Sequence, residues 1–227
     1  MITLSNISRV FRFNEIETSA LTDVSLTINH GEFVAIMGPS GCGKTTLLNI
    51  LGTIDRPTAG TYLFEGRDLT RLSEVRLAEH RAIHLGFIFQ SFNLIDDLTI
   101  RENIELGLLY RRNLRGSRQA AMDDAMDRVG IAHRADHFPQ QLSGGQQQRA
   151  AIARAIVGSP SLLLADEPTG NLDSENGRQV MEILKSLNRS GVTVVMVTHS
   201  QSHADEAGRR IDVLDGRAVL SVRNVLV

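Results

Sequence analysis

The sequence predicts an α/β fold with a parallel central sheet, an antiparallel β layer near the N-terminus and a helical subdomain in the middle of the chain. Short apolar runs recur at both ends of the chain, and such runs are typical of strands buried on both faces. Segments with helical periodicity lie between these runs. The stretch 91–155 has helical patterns and no buried-strand run, which predicts a mostly helical insertion.

The first thirty residues alternate apolar and polar side chains in two segments. Ile2 and Leu4 mark the first segment, and Val24, Leu26 and Ile28 mark the second. Alternation with a period of two is typical of strands that bury only one face. These two segments are therefore predicted to form the antiparallel layer.

Buried strands and amphipathic helices follow in alternation. The predicted strands are 33–37, 86–89, 162–165, 192–197 and 211–214. Apolar residues at the spacing i, i+3, i+4, i+7 predict two helices, one with Met122, Ala125, Met126 and Val129, the other with Val180, Ile183, Leu184 and Leu187. We expect one domain over 1–227, in which 1–90 and 156–227 form the core with the β layer and 91–155 form the helical subdomain.

The composition excludes several classes of protein. The 227 residues are 42% hydrophobic, with 19 glycines, 5 prolines and 1 cysteine, which excludes collagen-like, low-complexity and disulfide-scaffold chains. The formal charge of −2 gives no electrostatic footprint for nucleic acid, so no nucleic-acid partner is expected. No signal peptide and no apolar run of membrane-spanning length is visible, so we expect a cytoplasmic protein.

A glycine-rich loop follows the predicted strand 33–37. Its sequence GPSGCGKT, residues 38–45, fits the phosphate-loop pattern G-x-x-x-x-G-K-[ST], and a helical run follows it, as this motif requires. Glycines let backbone N–H groups turn toward phosphate oxygens, and the helix N-terminus adds partial positive charge. The loop is therefore expected to bind a nucleotide through Gly38, Pro39, Ser40, Gly41, Cys42, Gly43, Lys44, Thr45 and Thr46.

Lysine is rare in this chain: it occurs only at Lys44 and Lys185, so 22 of the 24 basic residues are arginine. At position 44 a compact ammonium group fits a narrow phosphate cradle that a planar guanidinium would not enter. We expect Lys44 to reach the β- and γ-phosphates and the Thr45 hydroxyl to bind Mg²⁺. Lys185, late in a predicted helix, is expected to be a solvated residue without a role in the site.

Two acids, Asp166 and Glu167, follow the predicted strand 162–165. Ligands of a parallel sheet gather at the carboxyl ends of its strands, so both acids are expected beside the phosphate loop. Asp166 would hold Mg²⁺, and Glu167 would orient and deprotonate the attacking water as a general base. A helix N-cap would explain two acids after a strand equally well, but the preceding loop favours the catalytic interpretation.

A second anion site is predicted at Ser143. Ser143 and Gln146 have the spacing of a capping box, which predicts a helix over 147–157 whose N-terminal N–H groups Gly144 and Gly145 leave accessible. Two phosphate sites on separate parts of one chain suggest that each is half of a shared site. A two-fold dimer would place the Ser143 site of one copy over the Lys44 site of the other.

These motifs resemble those of the ATP-binding subunits of ABC transporters, and the resemblance extends over essentially the whole chain in the family's order. It implies a P-loop NTPase (RecA-like) core that hydrolyses ATP with Mg²⁺. Residues 38–45 resemble Walker A, and the acids at 166 and 167 resemble Walker B with its catalytic base. Residues 142–146 resemble the family signature, which binds the γ-phosphate of the opposite nucleotide.

Further residues take their expected roles from this resemblance. Gln90 sits like the Q-loop glutamine, which contacts Mg²⁺ and senses the permease, and Asp173 sits in the D-loop position. His199 resembles the switch histidine, whose imidazole binds the γ-phosphate and holds the attacking water in line. Phe11 falls where the family stacks an aromatic ring on adenine. Phe13 is the other candidate for this role, and ordinary packing in the core of the N-terminal layer is the alternative explanation.

Finer similarity at 47–60, 89–95 and 165–173 indicates the branch that serves macrolide export and lipoprotein release. It implies a homodimer of ATPase subunits at the cytoplasmic face of the inner membrane, whose closure on ATP drives a separate integral-membrane permease with a large periplasmic domain. The resemblance also leaves room for a periplasmic adaptor as a further partner. The identity of the cargo is not encoded in this chain. The segment 90–103 is expected to contact the permease.

Two other functions compete with this one. A soluble ABC ATPase acting on nucleic acid or ribosomes usually has two cassettes or a long coiled coil, and this chain shows neither. A regulatory partner without hydrolysis is disfavoured because Glu167 and His199 are both present.

Overall fold

The computed structural model describes residues 1–13, 16–111 and 116–220, which form two compact units. The first unit joins 1–77 with the chain from 195 onward, and the second is 78–194. The boundaries at 90/91 and 155/156 were predicted for the helical subdomain and not for these two units, so they stay a prediction. Within the described residues, no helix is long and apolar enough to cross a membrane.

An antiparallel layer dominates the N-terminal part of the first unit. Its strands lie in the order β2-β1-β4-β5 and are β1 (Ile2–Phe13), β2 (Ile16–Ile28), β4 (Ala59–Phe64) and β5 (Arg67–Asp68). Ile2 pairs with Ile28 and Leu4 with Leu26, and all four side chains are buried. The alternation at these positions therefore identified the buried face of the layer.

Parallel strands carry the phosphate loop in the same unit. The fully buried β3 (Phe33–Met37) pairs in parallel with β9 (Arg209–Leu214), and β10 (Arg217–Leu220) closes this edge antiparallel to β9. β8 (Thr193–Val197) enters the first unit at 195, and the amide of Thr198 donates to the carbonyl of Ile36. Two helices complete the unit, α1 (Lys44–Leu51) and α7 (Gln201–Asp205).

The second unit contains a parallel strand pair and most of the helices. β6 (Leu85–Phe89) and β7 (Leu162–Asp166) run in parallel with Phe89 opposite Asp166, so Gln90 and Glu167 leave the same edge of the pair. α2 (Glu74–His84) enters this unit at residue 78. The remaining helices are α3 (Ile100–Glu105), α4 (Arg118–Arg128), α5 (Gly144–Ile156) and α6 (Ser174–Arg189).

Helix α5 begins at Gly144, three residues before the predicted start at 147. Ser143 is its N-cap, and the capping box to Gln146 makes Gly144 and Gly145 the first two helical residues. The predicted capping box is correct, but the helix start is wrong, because a capping box with Ser143 as N-cap places Gln146 at the third helical position and so starts the helix at Gly144. The cap and the packing of Gly145 outweigh the low intrinsic helix propensity of glycine.

Candidate functional site

The phosphate loop connects β3 to α1, and its last glycine sets the start of the helix. Gly43 is the N-cap of α1 with φ 103°, in the left-handed region that favours glycine. A Cβ at this position would collide with the carbonyl oxygen of Ala20 on β2. The N-cap therefore contributes no side chain, and the first N–H groups of α1 keep their capacity to bind an anion.

Lys44 folds back along the loop that precedes it. Its Nζ donates to the carbonyl oxygens of Gly38 at 2.9 Å and Pro39 at 2.7 Å, and the residue is only 9% exposed. An ammonium group held by two backbone carbonyls is placed to exchange those acceptors for phosphate oxygens. The Thr45 side chain is exposed at the same helix end, and a hydroxyl oxygen is a ligand type that Mg²⁺ accepts.

The rest of the loop divides into exposed and buried residues. Pro39, Ser40 and Gly41 are exposed, whereas Cys42 is buried with its Sγ 3.9 Å from the Lys44 ammonium. Thr46 is half-buried on the first turn of α1. The arrangement fits a phosphate group in shape and in donor chemistry, since the loop offers backbone donors and a cation without an acidic side chain.

His199 follows β8 and lies at a cavity that includes the start of the phosphate loop. The cavity has a volume of about 450 Å³ and is lined in part by Gly38, Pro39 and His199. Arg210 and Asp212 line its other side, where Arg210 Nε donates to Asp212 Oδ1 at 2.8 Å. This ion pair near His199 could not be predicted from the sequence, because its two members lie on β9, whose apolar pattern indicated only a buried strand.

Phe11 and Phe13 differ in their surroundings on β1. Phe11 is 42% exposed, and the Cζ atom of Arg9 lies over its ring, 4.3 Å from the ring centre. Phe13 is 78% exposed, ends β1 and lies opposite Ile16 of β2. Neither ring belongs to the buried core, so the core-packing alternative does not describe them.

In the second unit, the residues that follow β6 and β7 contact each other. Gln90 Nε2 donates to Asn171 Oδ1 at 3.0 Å, and Asn171 Nδ2 donates back to the carbonyl oxygen of Gln90 at 3.1 Å. Asp166 ends β7, and Glu167 follows it with φ 46°, a left-handed conformation that is strained for glutamate. Strain of this kind is concentrated at functional sites, and here it sets the direction in which the Glu167 side chain leaves the strand.

The N-terminus of α5 has the predicted capping geometry. The Ser143 hydroxyl accepts from the Gln146 amide at 3.4 Å, and Gln146 Oε1 accepts from the Ser143 amide at 3.1 Å. Gly145 is needed here for close approach, because a Cβ would collide with Oδ1 and Cγ of Asn176 on α6. Gly144 has only ordinary contacts at 3.6 Å, from Phe92 and Leu172.

Asp173 is the N-cap of α6. Its carboxylate accepts from the Asn176 amide at 2.8 Å and from Asn176 Nδ2 at 2.8 Å. These two hydrogen bonds hold the pKa of Asp173 below its ordinary value, because they stabilise the charged form. Asn176 therefore links the Asp173 cap to Gly145 of the signature segment.

Gln148 is a site residue that the sequence reasoning missed. It lies on α5, is fully buried, and donates through Nε2 to the carbonyl oxygens of Phe89 at 3.3 Å and Pro168 at 2.6 Å. Its Oε1 accepts no hydrogen bond from the described part of the chain. One amide thus connects the signature helix to the segments that precede Gln90 and follow Glu167. The available signal was a polar residue on the apolar face of an amphipathic helix.

Asn103 fixes the backbone of the segment 90–103, which the sequence predicts to contact a permease. Asn103 is fully buried on α3, accepts from the Ile95 amide at 2.7 Å and donates to the carbonyl oxygens of Ile95, Leu98 and Thr99 at 3.0 Å each. Of the apolar side chains in 90–103, Ile95 is 46% exposed and Ile100 is buried. The sequence did not separate these two, because an irregular segment has no periodicity that assigns a face.

Comparison with known proteins places this geometry in context. A family model described as ABC transporter matches residues 21–170. The chain is 47% identical over 219 residues to the uncharacterized ABC transporter ATP-binding protein MJ1508 of Methanocaldococcus jannaschii, covering 96% of this chain and 98% of that protein. It is also 47% identical to the macrolide export ATP-binding/permease protein MacB of Salmonella typhimurium, over 96% of this chain and 34% of MacB.

A solved structure matches the fold closely. The ATP-binding cassette MJ0796, in a dimeric post-hydrolysis state bound to ADP and Pi, superimposes with a TM-score of 0.88 at 42% identity, covering 96% of both chains. The predicted α/β fold with its antiparallel β layer is confirmed by this match.

Proposed function

Because this chain belongs to the ABC transporter family and is an ATPase that uses ATP with Mg²⁺, we propose that two copies close on ATP and thereby drive a separate membrane permease. The predicted role as a transporter ATPase is confirmed by the family match and by the identity to MacB. The competing function on nucleic acid or ribosomes has no support among the relatives described above.

One observation carries the dimer proposal: the chain has two helix N-termini suited to phosphate, one in each unit. The first belongs to α1 with Lys44, and the second belongs to α5, where Ser143 is exposed and Gly144 half-exposed. A head-to-tail dimer lets the α5 end of one copy meet the nucleotide on the α1 end of the other. The dimeric state of MJ0796 with ADP and Pi bound supports a dimer of this chain.

Residues of the first unit bind the nucleotide in this proposal. Backbone N–H groups of the loop and the Lys44 ammonium bind the phosphates, and Thr45 supplies a hydroxyl ligand to Mg²⁺. When bound, Mg²⁺ neutralises charge on the phosphate oxygens. His199 contacts the γ-phosphate, and Phe11 stacks on the adenine base in preference to the more exposed Phe13.

Residues of the second unit supply the hydrolytic groups. Glu167 accepts the proton of the attacking water, Asp166 is a ligand for Mg²⁺, and Gln90 contacts the metal and responds to the permease. Ser143, Gly144, Gly145 and Gln146 donate to the γ-phosphate held by the other copy. Asp173 acts beside this segment through Asn176, with which it shares two hydrogen bonds.

We assign the permease contact to the segment 90–103 and the cavity near it. The cavity has a volume of about 320 Å³, and its lining includes Asn93, Arg111 and Arg154. Arg154 Nη2 donates to the carbonyl oxygen of Phe92 at 2.8 Å, and burial lowers the pKa of its guanidinium. A permease segment would pack beside Ile95, and this contact would hold the ATPase at the cytoplasmic face of the inner membrane. An export or lipoprotein-release system with a large periplasmic domain fits the similarity to MacB, with an adaptor as a further partner.

Glu167→Gln tests the hydrolytic assignment and the dimer together. Because glutamine cannot take the proton, this variant should release no phosphate and should accumulate as an ATP-bound dimer in light scattering. Glu182→Gln, an exposed carboxylate paired with Lys185 on α6, is the matched control and should retain both activity and the monomer–dimer exchange. Normal turnover by Glu167→Gln would disprove the general-base role.

Ser143→Arg separates dimer closure from nucleotide binding. A large cation at the α5 N-terminus should block the partner's nucleotide, so hydrolysis is lost while ATP affinity of the monomer is retained. Equal loss of affinity and hydrolysis would contradict the head-to-tail arrangement.

Ile95→Asp tests the permease contact. This variant should no longer co-purify with the permease, whereas Ile54→Asp, at a residue 53% exposed in the first unit, should still do so.

A further inference from the structure

Arg9 and Asp55 form a two-pronged ion pair beside the Phe11 ring. Arg9 Nε donates to Asp55 Oδ2 at 2.9 Å, and Arg9 Nη2 lies 2.9 Å from Asp55 Oδ1. The side chains are 24% and 23% exposed, so both groups are partly shielded from water. A planar guanidinium held at two points by one carboxylate has a defined orientation and little freedom to swing away.

The orientation of Arg9 matters because its guanidinium covers one face of Phe11. The Cζ atom lies 4.3 Å from the ring centre, a cation–π distance. An aromatic ring has two faces, and Phe11 is still 42% exposed with one face occupied. A flat ligand therefore meets the remaining face of a ring whose other side is already supported.

Both partners of the ion pair are tied to the phosphate loop. Arg9 lies opposite Leu21 in the β1–β2 register, and Leu21 is one of the side chains against Gly43 of the loop. Asp55 follows α1, the helix that begins at Lys44, and its Oδ1 also accepts from the Arg56 amide at 2.8 Å. The ring support is thus connected on one side to the loop glycine and on the other to the end of the loop's helix.

Two backbone contacts reinforce this connection. The Val10 amide donates to the Thr58 hydroxyl at 3.0 Å, and the Thr58 amide donates to the carbonyl oxygen of Ser8 at 2.7 Å. The segment around Arg9 is therefore fixed against the turn after α1 independently of the ion pair. Loss of the Arg9 side chain should leave the strand in place and release only the ring.

We propose that Arg9 and Asp55 are positioning residues for the adenine base, holding Phe11 so that its open face is ordered before the base arrives. This inference rests on the proposed role of Phe11 in stacking. A ring that is already ordered loses less side-chain freedom on binding, so the support increases affinity without touching the nucleotide. The effect should depend on the base and be absent for a ligand that has only phosphates.

Arg9→Ala tests the proposal by calorimetric titration of the whole chain with two probes, MgATP and inorganic tripolyphosphate. We expect MgATP affinity to fall about two- to fivefold, as befits one cation–π contact at a partly exposed site, with tripolyphosphate affinity unchanged. Arg9→Lys keeps a charge for Asp55 but lacks the planar group that covers the ring, so it should keep the melting temperature and show no larger a fall in MgATP affinity than Arg9→Ala. The control is Arg12→Ala. Arg12 lies on β1, as Arg9 does, and forms an exposed ion pair with Glu17 of β2, so its removal should change neither affinity.

A double-mutant cycle with Phe11→Ala decides whether Arg9 acts through the ring. Phe11→Ala alone should weaken MgATP about tenfold, as expected for one stacked base, and Arg9→Ala should add nothing in that background. Additive losses, an equal loss for tripolyphosphate, or tighter MgATP binding by Arg9→Ala would overturn the inference. If Phe11→Ala weakens MgATP but Arg9→Ala does not, only this inference fails, whereas an unchanged Phe11→Ala variant refutes the stacking role as well.

Discussion

Gln90 and Asn171 are 81 positions apart in the chain and hold each other by two reciprocal hydrogen bonds. One bond joins the two side-chain amides, and the other joins the Asn171 amide to the backbone of Gln90. The first residue follows β6 and the second lies beyond β7, so this pair locks together the two segments that leave the same edge of the parallel strands. A displacement of Gln90 must therefore either move Asn171 or break the hydrogen bonds between them.

Asn171→Ala should uncouple these segments. Both hydrogen bonds are lost, each worth about 1 kcal/mol. If Gln90 loses that much of its positioning in the transition state, kcat should fall by up to about thirtyfold, with a smaller effect on KM. Asn171→Asp keeps the acceptor for Gln90 Nε2 and should fall between alanine and the parent. Phosphate release measures the effect, with Gln179→Ala, an exposed amide on α6, as control. A kcat equal to that of the control would show that the pair has no part in turnover.

Gln148→Leu should destabilise the protein more than Gln147→Leu does. The Gln148 change leaves the buried carbonyl of Pro168 without its 2.6 Å donor, which should cost about 1–3 kcal/mol of unfolding free energy. Gln147 is half-buried and donates one bond of 3.1 Å to Leu142, so its loss should cost less. Urea denaturation of both variants measures the difference. Equal free energies would mean that the Gln148 bridge is not a structural support.

Gly145→Ala and Gly144→Ala form a matched pair on the first turn of α5. The added methyl group at 145 must displace the Asn176 side chain from Asp173, and overpacking of this kind costs about 1–3 kcal/mol. At 144 the nearest atoms are 3.6 Å away, and alanine improves helix propensity, so no loss of stability is expected. The Gly145→Ala/Asn176→Ala double variant should recover part of the loss. Thermal unfolding that ranks the two single variants equally would refute this packing explanation.

Tyr62→Phe should weaken the end of the phosphate-loop helix. The buried Tyr62 hydroxyl donates to the carbonyl oxygen of Leu51, the last residue of α1, at 2.8 Å, so its removal should cost about 1–3 kcal/mol. Tyr110→Phe, at a residue that is 82% exposed, is the control and should cost little. Chemical denaturation near neutral pH compares the two. A larger loss for Tyr110→Phe would contradict the assigned role of the bond.

The same tyrosine should make the fold sensitive to alkali. Burial raises the pKa of Tyr62 above its ordinary value of 10.0, because desolvation disfavours the tyrosinate. Above that pH the unfolded chain binds fewer protons than the folded one, so stability falls as pH rises through this range. Tyr62→Phe lacks this group and should show a shallower decline between pH 10 and 11 in denaturation experiments. Identical slopes for the parent and the variant would exclude Tyr62 as the cause.

The local motifs of this protein could be predicted because each is short and chemically specific. The phosphate loop needs glycines, a lysine and a hydroxyl at fixed spacing between a strand and a helix, and the structure has that strand and that helix. The Ser143–Gln146 capping box is likewise decided within four residues. The predicted helix start at 147 was wrong, because the box itself places the first helical residue directly after its Ser143 cap, at Gly144.

The amino-acid sequence by itself determined the five buried strands of the parallel sheet, the buried face of β1 and β2, and the chemical character of the two helix ends that we propose to bind phosphate. Tertiary structure alone decided that Arg9 reaches Asp55, that Gln90 holds Asn171, and that the buried Gln148 bridges Phe89 and Pro168. The physical reason is the distance along the chain over which each effect acts. Propensity, periodicity and capping act over a few residues, whereas these contacts join residues that only chain folding brings within hydrogen-bond distance.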